Sequence, residues 1–554
     1  MEEQRSYEEE ELWEEPLIFI PHDLPSTARY KELQKELCGR NETRLFAFSR
    51  QIHNLAEIDW EMYLENDINP EIAIYFDNET FLRVSDDSRG KFVIKKRAFV
   101  FSIFLGGSTT NYLDCAVFGK TDFDILETAT FFCSLTQPEH PKASLRFNHC
   151  LTDCKSSFPF IVDLAALRDD QLIQILETNS KKQVELEIGS WSLEQAKILT
   201  SRPFPLNLKL TRAREGWTGI GSKDDGTELI NLLEKRQPRF GSFAVHCMEQ
   251  GQMTMSHNNL ARLMKLEGMF DKLTIGSLSG TSMFLPFTAN AGMVEYDIDV
   301  RTFLPRDFNS VNIETKNLTL MFCAGHSNVS GEEMVSFLHR AAQSGHFECL
   351  GVATRRYRPN DAAPTVQALI QAIICNPKLT HLRLLGTSFL FTSGSHLQDI
   401  FRAITEHDSL HKVTLHPYPP LSGLDMEDDE YDRLCQPYYT ALEGLLSRNR
   451  KLIILNDWGE KITNGTTIDE LYLNNYVYTR WTKVVEEPTS VRPWLVGMAL
   501  TNCASNSFQY TTQLLTFHTD MLCEMLDGMR FDVDTGDSRT TANQATDNAS
   551  DNDE

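Results

Sequence analysis

From about residue 317 to residue 416 the apolar positions fall into a pattern that returns four times. Leu318-x-Leu320, Leu350-x-Val352, Leu382-x-Leu384 and Val413-x-Leu415 each read as a brief strand, and their second apolar residues lie 32, 32 and 31 residues apart. Between them run three helical stripes: Met334, Leu338 and Ala341; Val366, Leu369, Ile370, Ile373 and Ile374; and Leu397, Ile400, Phe401 and Ile404. A fixed period in the range of about 20–50 residues marks a stacked-repeat architecture, in which each unit buries its apolar face only against its neighbours. Ser330 with Glu333 reads as a capping box opening the first helix, and Pro364 as a first-turn residue of the second.

Upstream the alternation is looser. Leu145-x-Phe147, Val184-x-Leu186-x-Ile188, Leu206-x-Leu208-x-Leu210, Phe243-x-Val245-x-Cys247, Leu273-x-Ile275 and Val294-x-Tyr296-x-Ile298 read as strands. Helix signals lie between them, including Leu172, Ile175 and Leu176 and the capping pair Ser192 and Gln195. Residues 16–143 show no period; a helix is expected near 30–37 and strands at 71–76, 91–94 and 98–105, either as degenerate repeats or as a separate cap. After Leu415 the period lengthens across an acidic insertion, and a last strand is expected at 452–455. Beyond it the pattern turns to helices from Pro493 and from Phe508, suited to closing the end of a stack.

The run Leu379-x-x-Leu382-x-Leu384-x-x-Thr387 resembles a leucine-rich repeat, with Leu410-x-x-Val413-x-Leu415-x-x-Tyr418 as its neighbour. Repeat length and intervening helices are similar to the ribonuclease-inhibitor-like branch of that family. The resemblance implies a horseshoe of parallel strands with helices outside. Where that family carries Asn or Cys after the strand, this chain has Thr387 and Tyr418. Residues 190–525, through segments such as Pro203-Phe-Pro-Leu-Asn-Leu-Lys-Leu210, also resemble uncharacterised microalgal leucine-rich-repeat proteins. The expected fold is thus an α/β, irregular leucine-rich-repeat solenoid with a helical C-terminal cap. Its parts are an acidic tail over 1–15, a mixed region over 16–143, the array over 144–456, the cap over 457–530 and a second acidic tail over 531–554.

Charge changes this picture only at the ends. The formal charge is −25, of which residues 1–15 supply −7 and residues 531–554 supply −6. No basic stripe suited to phosphate neutralisation is present, which argues against a nucleic-acid partner. The start is a glutamate run rather than a secretory signal, no run is long enough for a membrane span, and the twelve Cys form no CxxC pair. Reduced thiols in the cytoplasm or nucleus are the expectation.

Candidate chemistry is sparse, and neither a metal nor a cofactor is expected. Residues 216–223 (GWTGIGSK) lack the Gly-Lys order of a phosphate loop, and 276–280 (GSLSG) has Leu278 where a nucleophilic Ser is needed. His149, Cys150 and Cys154 lack a fourth zinc ligand, and the acidic loop at 425–432 lacks the Gly and Glu of a calcium loop. All four read as structural or solvated segments. If the strands line one face, residues between the strand leucines form its floor: Glu185, Glu187, Asn207, Lys209, Ala244, His246, Thr274, Asp297, Asp299, Thr319, Gly351, Arg383 and Thr414. The mixture suits an extended contact with a protein partner, basic partners being favoured by the acidic ends. A non-enzymatic binding scaffold is therefore the expected function, with an α/β enzyme of unrecognised site as the alternative.

Overall fold

The structure is a computed structural model. It describes residues 15–20, 32, 35, 44–64, 71–86, 94, 96–104, 112–136, 143–147, 160–162, 164–180, 183–186, 192–212, 226–237, 239–247, 255–324, 331–357, 359, 361–391, 393–416, 428–457, 459–475, 519 and 523. By packing, the chain divides into two units: 1–425 with 454–460, and 426–453 with 461–554.

In the first unit the repeat pattern becomes a parallel sheet whose register is regular but for one irregularity between β10 and β11. The strands are β7 (Ser144–Phe147), β8 (Gln183–Leu186), β9 (Leu206–Arg212), β10 (Gly241–Cys247), β11 (Phe270–Ile275), β12 (Val294–Asp299), β13 (Asn317–Cys323), β14 (Cys349–Arg355), β15 (His381–Leu385) and β16 (Lys412–Leu415). Each pairs in parallel with the next, so spatial order follows chain order. Val294, Leu318, Leu350, Leu382 and Val413 stand in one row, and Tyr296, Leu320, Val352, Leu384 and Leu415 in the next. The period of 31–32 residues is thus one strand step. Parallel neighbours need a crossover of a dozen or more residues, and a helix supplies it.

Those helices are α3 (Asp169–Thr178), α4 (Leu193–Ser201), α5 (Thr227–Lys235), α6 (His257–Met264), α7 (Pro305–Ser310), α8 (Glu332–Ser344), α9 (Ala363–Ile374) and α10 (Gly394–Thr405), with a 3-10 segment at Gly280–Thr288. Ring contacts fix their side: Phe322 of β13 meets Phe337 of α8 at 6.1 Å, and Tyr296 of β12 meets Phe287 at 5.7 Å. Both strand rings belong to the leucine-bearing face. Met334, Leu338 and Ala341 are buried as expected, together with Phe337. In α9 the expected stripe shifts. Val366, Leu369 and Ile373 are buried alongside Thr365, Ala368 and Ala372, whereas Ile374 is 57% exposed, because the last residue of the helix has turned past the sheet.

Capping divides the same way. Ser192 Oγ accepts the Gln195 N–H at 3.0 Å while Gln195 Oε1 accepts the Ser192 N–H at 3.1 Å, the expected box. At the second expected box, α8 is entered through Gly331 at φ 89° with no side-chain cap. That left-handed conformation suits glycine, and Ser330 lies outside the described residues.

Polar stitches join successive repeats behind the helices. Asn376, after α9, donates from Nδ2 to Ala341 O (3.1 Å) and Ala372 O (2.7 Å), and its Oδ1 accepts the Phe347 N–H at 3.0 Å. One repeat on, the His407 ring nitrogen Nε2 lies 3.0 Å from Asn376 O. Asn179, after α3, bonds Cys133 O and Ile175 O in the same manner. Asn376 and Asn179 thus each follow a helix, whereas Thr387, after β15, is fully buried.

Residues before β7 extend the same sheet. β1 (Leu17–Phe19), β2 (Arg44–Phe48), β3 (Glu71–Phe76), β4 (Thr80–Asp86), β5 (Ala98–Phe104) and β6 (Tyr112–Phe118) run in the spatial order β1-β2-β3-β4-β6-β5-β7. All these pairings are antiparallel except β2 with β3, which are joined through α1 (Trp60–Leu64). On the leucine side α2 (Asp122–Cys133) packs Phe132 against Phe101 of β5 and Trp60, each at 6.1 Å. The expected strands at 71–76 and 98–105 are present as β3 and β5. Of 91–94 only Ile94 is described, and it is not strand. Of 30–37 only Glu32 and Lys35 are described, both helical.

A last strand, β17 (Ile453–Leu455), falls where 452–455 was expected. In the second unit α11 (Asp428–Arg448) buries Cys435, Tyr438, Leu442, Leu445 and Leu446. Helical residues 467–475 pack beside it, with Asn475 Nδ2 donating to Leu446 O at 2.8 Å. The helices expected from Pro493 and Phe508 lie outside the described residues apart from two positions. No helix among the described residues is long and apolar enough to cross a membrane.

Candidate functional site

Strand alternation sends every second residue to the face opposite the leucines. In β12 the burial alternates accordingly, with Val294, Tyr296 and Ile298 buried and Glu295, Asp297 and Asp299 half-buried. Register links these positions into a continuous row: Arg146, Glu185, Lys209, Ala244, Thr274, Glu295, Thr319, Gly351, Arg383 and Thr414, one from each strand of β7–β16. The sequence-derived floor is largely this row.

Two ion clusters organise it. At one end Glu185 accepts from Arg146 Nε at 2.7 Å and from Lys209 Nζ at 3.1 and 3.2 Å, with Gln183 Nε2 at 3.1 Å. Four strand steps along, Glu295 accepts from Arg383 Nη1 at 2.6 Å and Lys272 Nζ at 2.9 Å. Arg383 also reaches Thr319 Oγ1 at 3.1 Å. To do so it passes over Gly351, where a Cβ would lie 2.2 Å from Thr319 Oγ1. Burial alone would raise the Glu295 carboxyl, but Lys272 and Arg383 outweigh it and hold the pKa below the usual range.

Beside the second cluster His381 Nε2 lies 3.0 Å from Thr414 Oγ1. Burial, then Lys412, Arg383 and His411, drive its pKa down to about 3, so the ring is neutral at physiological pH. Toward the strand C-termini a second row runs Asp297, Met321, Ala353 and Leu385, and a third Asp299, Cys323 and Arg355. Asp299 is held by Arg301 at 2.6 Å, which lowers its pKa despite burial. The Cys323 thiol is pushed up to about 12, by burial first and then by Asp297. Cys349 is pushed up to about 11 by burial. Both are therefore thiols and weak nucleophiles at neutral pH.

The sequence-derived positions thus divide. Glu185, Lys209, Thr274, Arg383 and Thr414 fall on the first row, and Asn207 on the adjacent row with Gln183 and Ser242. Asp297 and Asp299 stand nearer the strand C-termini. Glu187 lies outside the described residues, and His246 is placed in β10 by its backbone alone. The sequence reading passed over Arg146 and Glu295, although Leu145 and Phe147 flank one and Val294 and Tyr296 the other. The alternation that selected Glu185 selects them too. Lys272, two residues before Thr274, lies on the same face by the same alternation and was passed over too.

Residues 216–223 and the His149, Cys150 and Cys154 group lie outside the described residues. So do 425–427, and of 428–432 only the backbone is described. No group of three or more His, Cys, Asp or Glu suited to a metal ion is present among the described residues. No protein-family model matches this chain, and no curated protein matches it in sequence.

Proposed function

We propose that this chain is a non-enzymatic, leucine-rich-repeat-like scaffold that binds a protein partner on the sheet face opposite its leucines. The observation that carries the reading is the one-sidedness of the array. Parallel sheets in enzymes are ordinarily buried on both faces, and their sites sit where strand order reverses. Here β7–β16 follow chain order without a reversal, and the face opposite the leucines carries polar side chains that are half-exposed at Arg146, Lys209, Thr274, Glu295 and Arg383 and buried at Glu185, Thr319 and Thr414. An extended surface of this kind suits a macromolecular contact better than a single crevice. The protonated state of Cys323 and Cys349 leaves neither of these thiols activated as a nucleophile, which weighs against the competing enzyme reading. The acidic ends would aid encounter with a partner through long-range attraction, affecting rate more than affinity.

The test places a photo-crosslinking residue at Met321 or Asp297 on this face, or at exposed Gln367 on α9. The face positions should capture the same partner, and Gln367 should not. Equal capture from all three positions, or capture from Gln367 alone, overturns the reading. Glu185 and Arg383 make poor probes, because their ion pairs belong to the packing of the face itself.

A further inference from the structure

His416 follows β16 directly, one step beyond the Leu384–Leu415 pair, and its N–H continues the ladder by donating to Leu384 O at 3.2 Å. Its ring nitrogen Nδ1 lies 2.5 Å from Asp457 Oδ2, a contact made across 41 residues of chain. Both side chains are half-buried, at 32% and 29% exposure.

Asp457 is held by a turn that is stitched to itself. After β17, Asn456 N–H donates to Glu460 O at 2.7 Å and Gly459 N–H to Asn456 O at 3.0 Å. The Asn456 side chain closes the same turn, since Oδ1 accepts the Glu460 N–H and Nδ2 donates to Glu460 Oε2, each at 2.9 Å. Residues 454–460 belong to the first unit, although the residues on both sides of them belong to the second. The contact therefore lies on the short segment at which the chain leaves the second unit and re-enters it.

Among the described residues Asp457 is the one charged group that contacts the ring. Leu385 on β15 and Thr414 on β16 are uncharged, Lys412 stands four residues back, and Glu460 is engaged by Asn456. The hydrogen bond to Asp457 raises the His416 pKa above its ordinary 6.5 against the opposing effect of burial, and the Asp457 charge adds to the rise. His381, on the neighbouring strand, is driven the other way.

We infer that the His416–Asp457 contact is a pH-sensitive latch, which fastens the 456–460 turn to the end of β16 at neutral and mildly acid pH and loosens as the solution turns alkaline. It stands apart from the scaffold reading, since it depends on neither the polar row nor a partner. A ring that holds its proton more tightly when folded contributes its full stability below pH 6.5 and loses it as pH rises through the raised folded value. Neutral imidazole can still donate from Nδ1, so deprotonation removes the ion pair and leaves a hydrogen bond. For a half-exposed pair that loss corresponds to about a two- to five-fold change in how often the turn opens.

The test uses the full-length protein with carbon-13-labelled histidine, the His416 NMR signal being assigned by its absence from His416→Gln. Its titration midpoint should lie above 6.5 and should fall in Asp457→Asn, which keeps the shape and an acceptor but removes the charge. In parallel, hydrogen exchange relative to intrinsic rates is followed from pH 6.5 to about 8.5. Protection of the Asn456 and Gly459 amides should decline about two- to five-fold in the unaltered protein and stay level in both variants. A midpoint that is the same with and without the Asp457 charge, or protection that follows one course in all three proteins, overturns the inference.

Discussion

One sheet face changes character between the two halves of the first unit. In β2–β6 the face opposite α2 is mostly apolar: Leu45, Ala73, Phe81, Ala98, Val100, Ala116 and Phe118 are buried together with Ile94, Ile20, Tyr75 and Ile161 pack against them, and the buried Arg83 among them is paired with Glu71. Beyond β7 the same face carries Arg146, Glu185, Lys209, Glu295 and Arg383. The faces are continuous, because Ser102 of β5 stands directly opposite Arg146 of β7. The change is graded through Ser85, Asp114 and Ser102, which are buried, adjacent and polar. Hydrogen-bonded backbone runs unbroken across the boundary, so the sheet itself does not decide which face meets a partner. Side-chain chemistry decides it: β3–β6 are buried on both faces, and the array keeps one face more open.

The sharpest way to break this comparison is to place a charge on the same face in each half. Val100 is 4% exposed within the apolar cluster. Val100→Asp buries a carboxylate among apolar neighbours and is expected to cost about 3 kcal/mol or more, enough to open β5 and β6. Met321→Lys, half-exposed on β13, is expected to stay within about 0.5 kcal/mol. Hydrogen exchange resolves the two regions separately, which suits a chain of this size better than a single melting temperature. If Met321→Lys loosened β13 as much as Val100→Asp loosens β5, the array face would be covered too.

What was legible in the sequence follows the same division. Between Leu318 and Leu415 the alternation and period are regular, and the structure places those residues in matched register. Before β7, strands β1, β2, β4 and β6 passed unseen. β6 is apolar on both faces over Ala116-Val117-Phe118, and a strand buried on both sides has no alternation to read; β4 alternates Leu82 and Val84 with Arg83 and Ser85 and was passed over. Helix α2 was hidden for a related reason: Ile125, Leu126, Thr128, Ala129, Thr130, Phe132 and Cys133 are all buried, leaving no polar stripe to define a side. On the floor, residue identity was readable but pairing was not. That Arg383 crosses two strands to Glu295 depends on the absence of a side chain at Gly351, which periodicity does not convey.

The array has a second dependence that the first half shares at only one described position. Asn376 satisfies three backbone groups of two repeats, and it is fully buried. Asn376→Leu is close in volume but leaves Phe347 N–H and Ala341 C=O without this partner. At about 1–3 kcal/mol per buried group, a loss of roughly 2–4 kcal/mol is expected. Hydrogen exchange should report it first at Phe347 and through α8 and α9, with β5 and β6 unchanged. An equal loss in β5 and β6 would show that the two halves open as one unit, and that the stitches are not specific to the array.

Acid distinguishes the halves more gently. The His381 ring is held neutral in the folded chain, with its pKa near 3, by burial and by the charges of Lys412, Arg383 and His411. Unfolded, it would take up a proton near its ordinary value of 6.5. Between those values the unfolded state binds the extra proton, so this contribution is complete above pH 6.5 and declines as pH falls toward 3. Glu295, depressed in the folded state, adds a further loss only below its ordinary value of 4.5. Amide protection in β15 and β16 should therefore weaken between pH 6.5 and 5, before Glu295 contributes, while β5 and β6 hold theirs. His381→Gln keeps a donor and an acceptor near Thr414 without a titrating ring, and should flatten the decline over that interval. A decline that persists in the variant would assign the acid sensitivity to other groups and remove His381 as the feature separating the polar face from the apolar one.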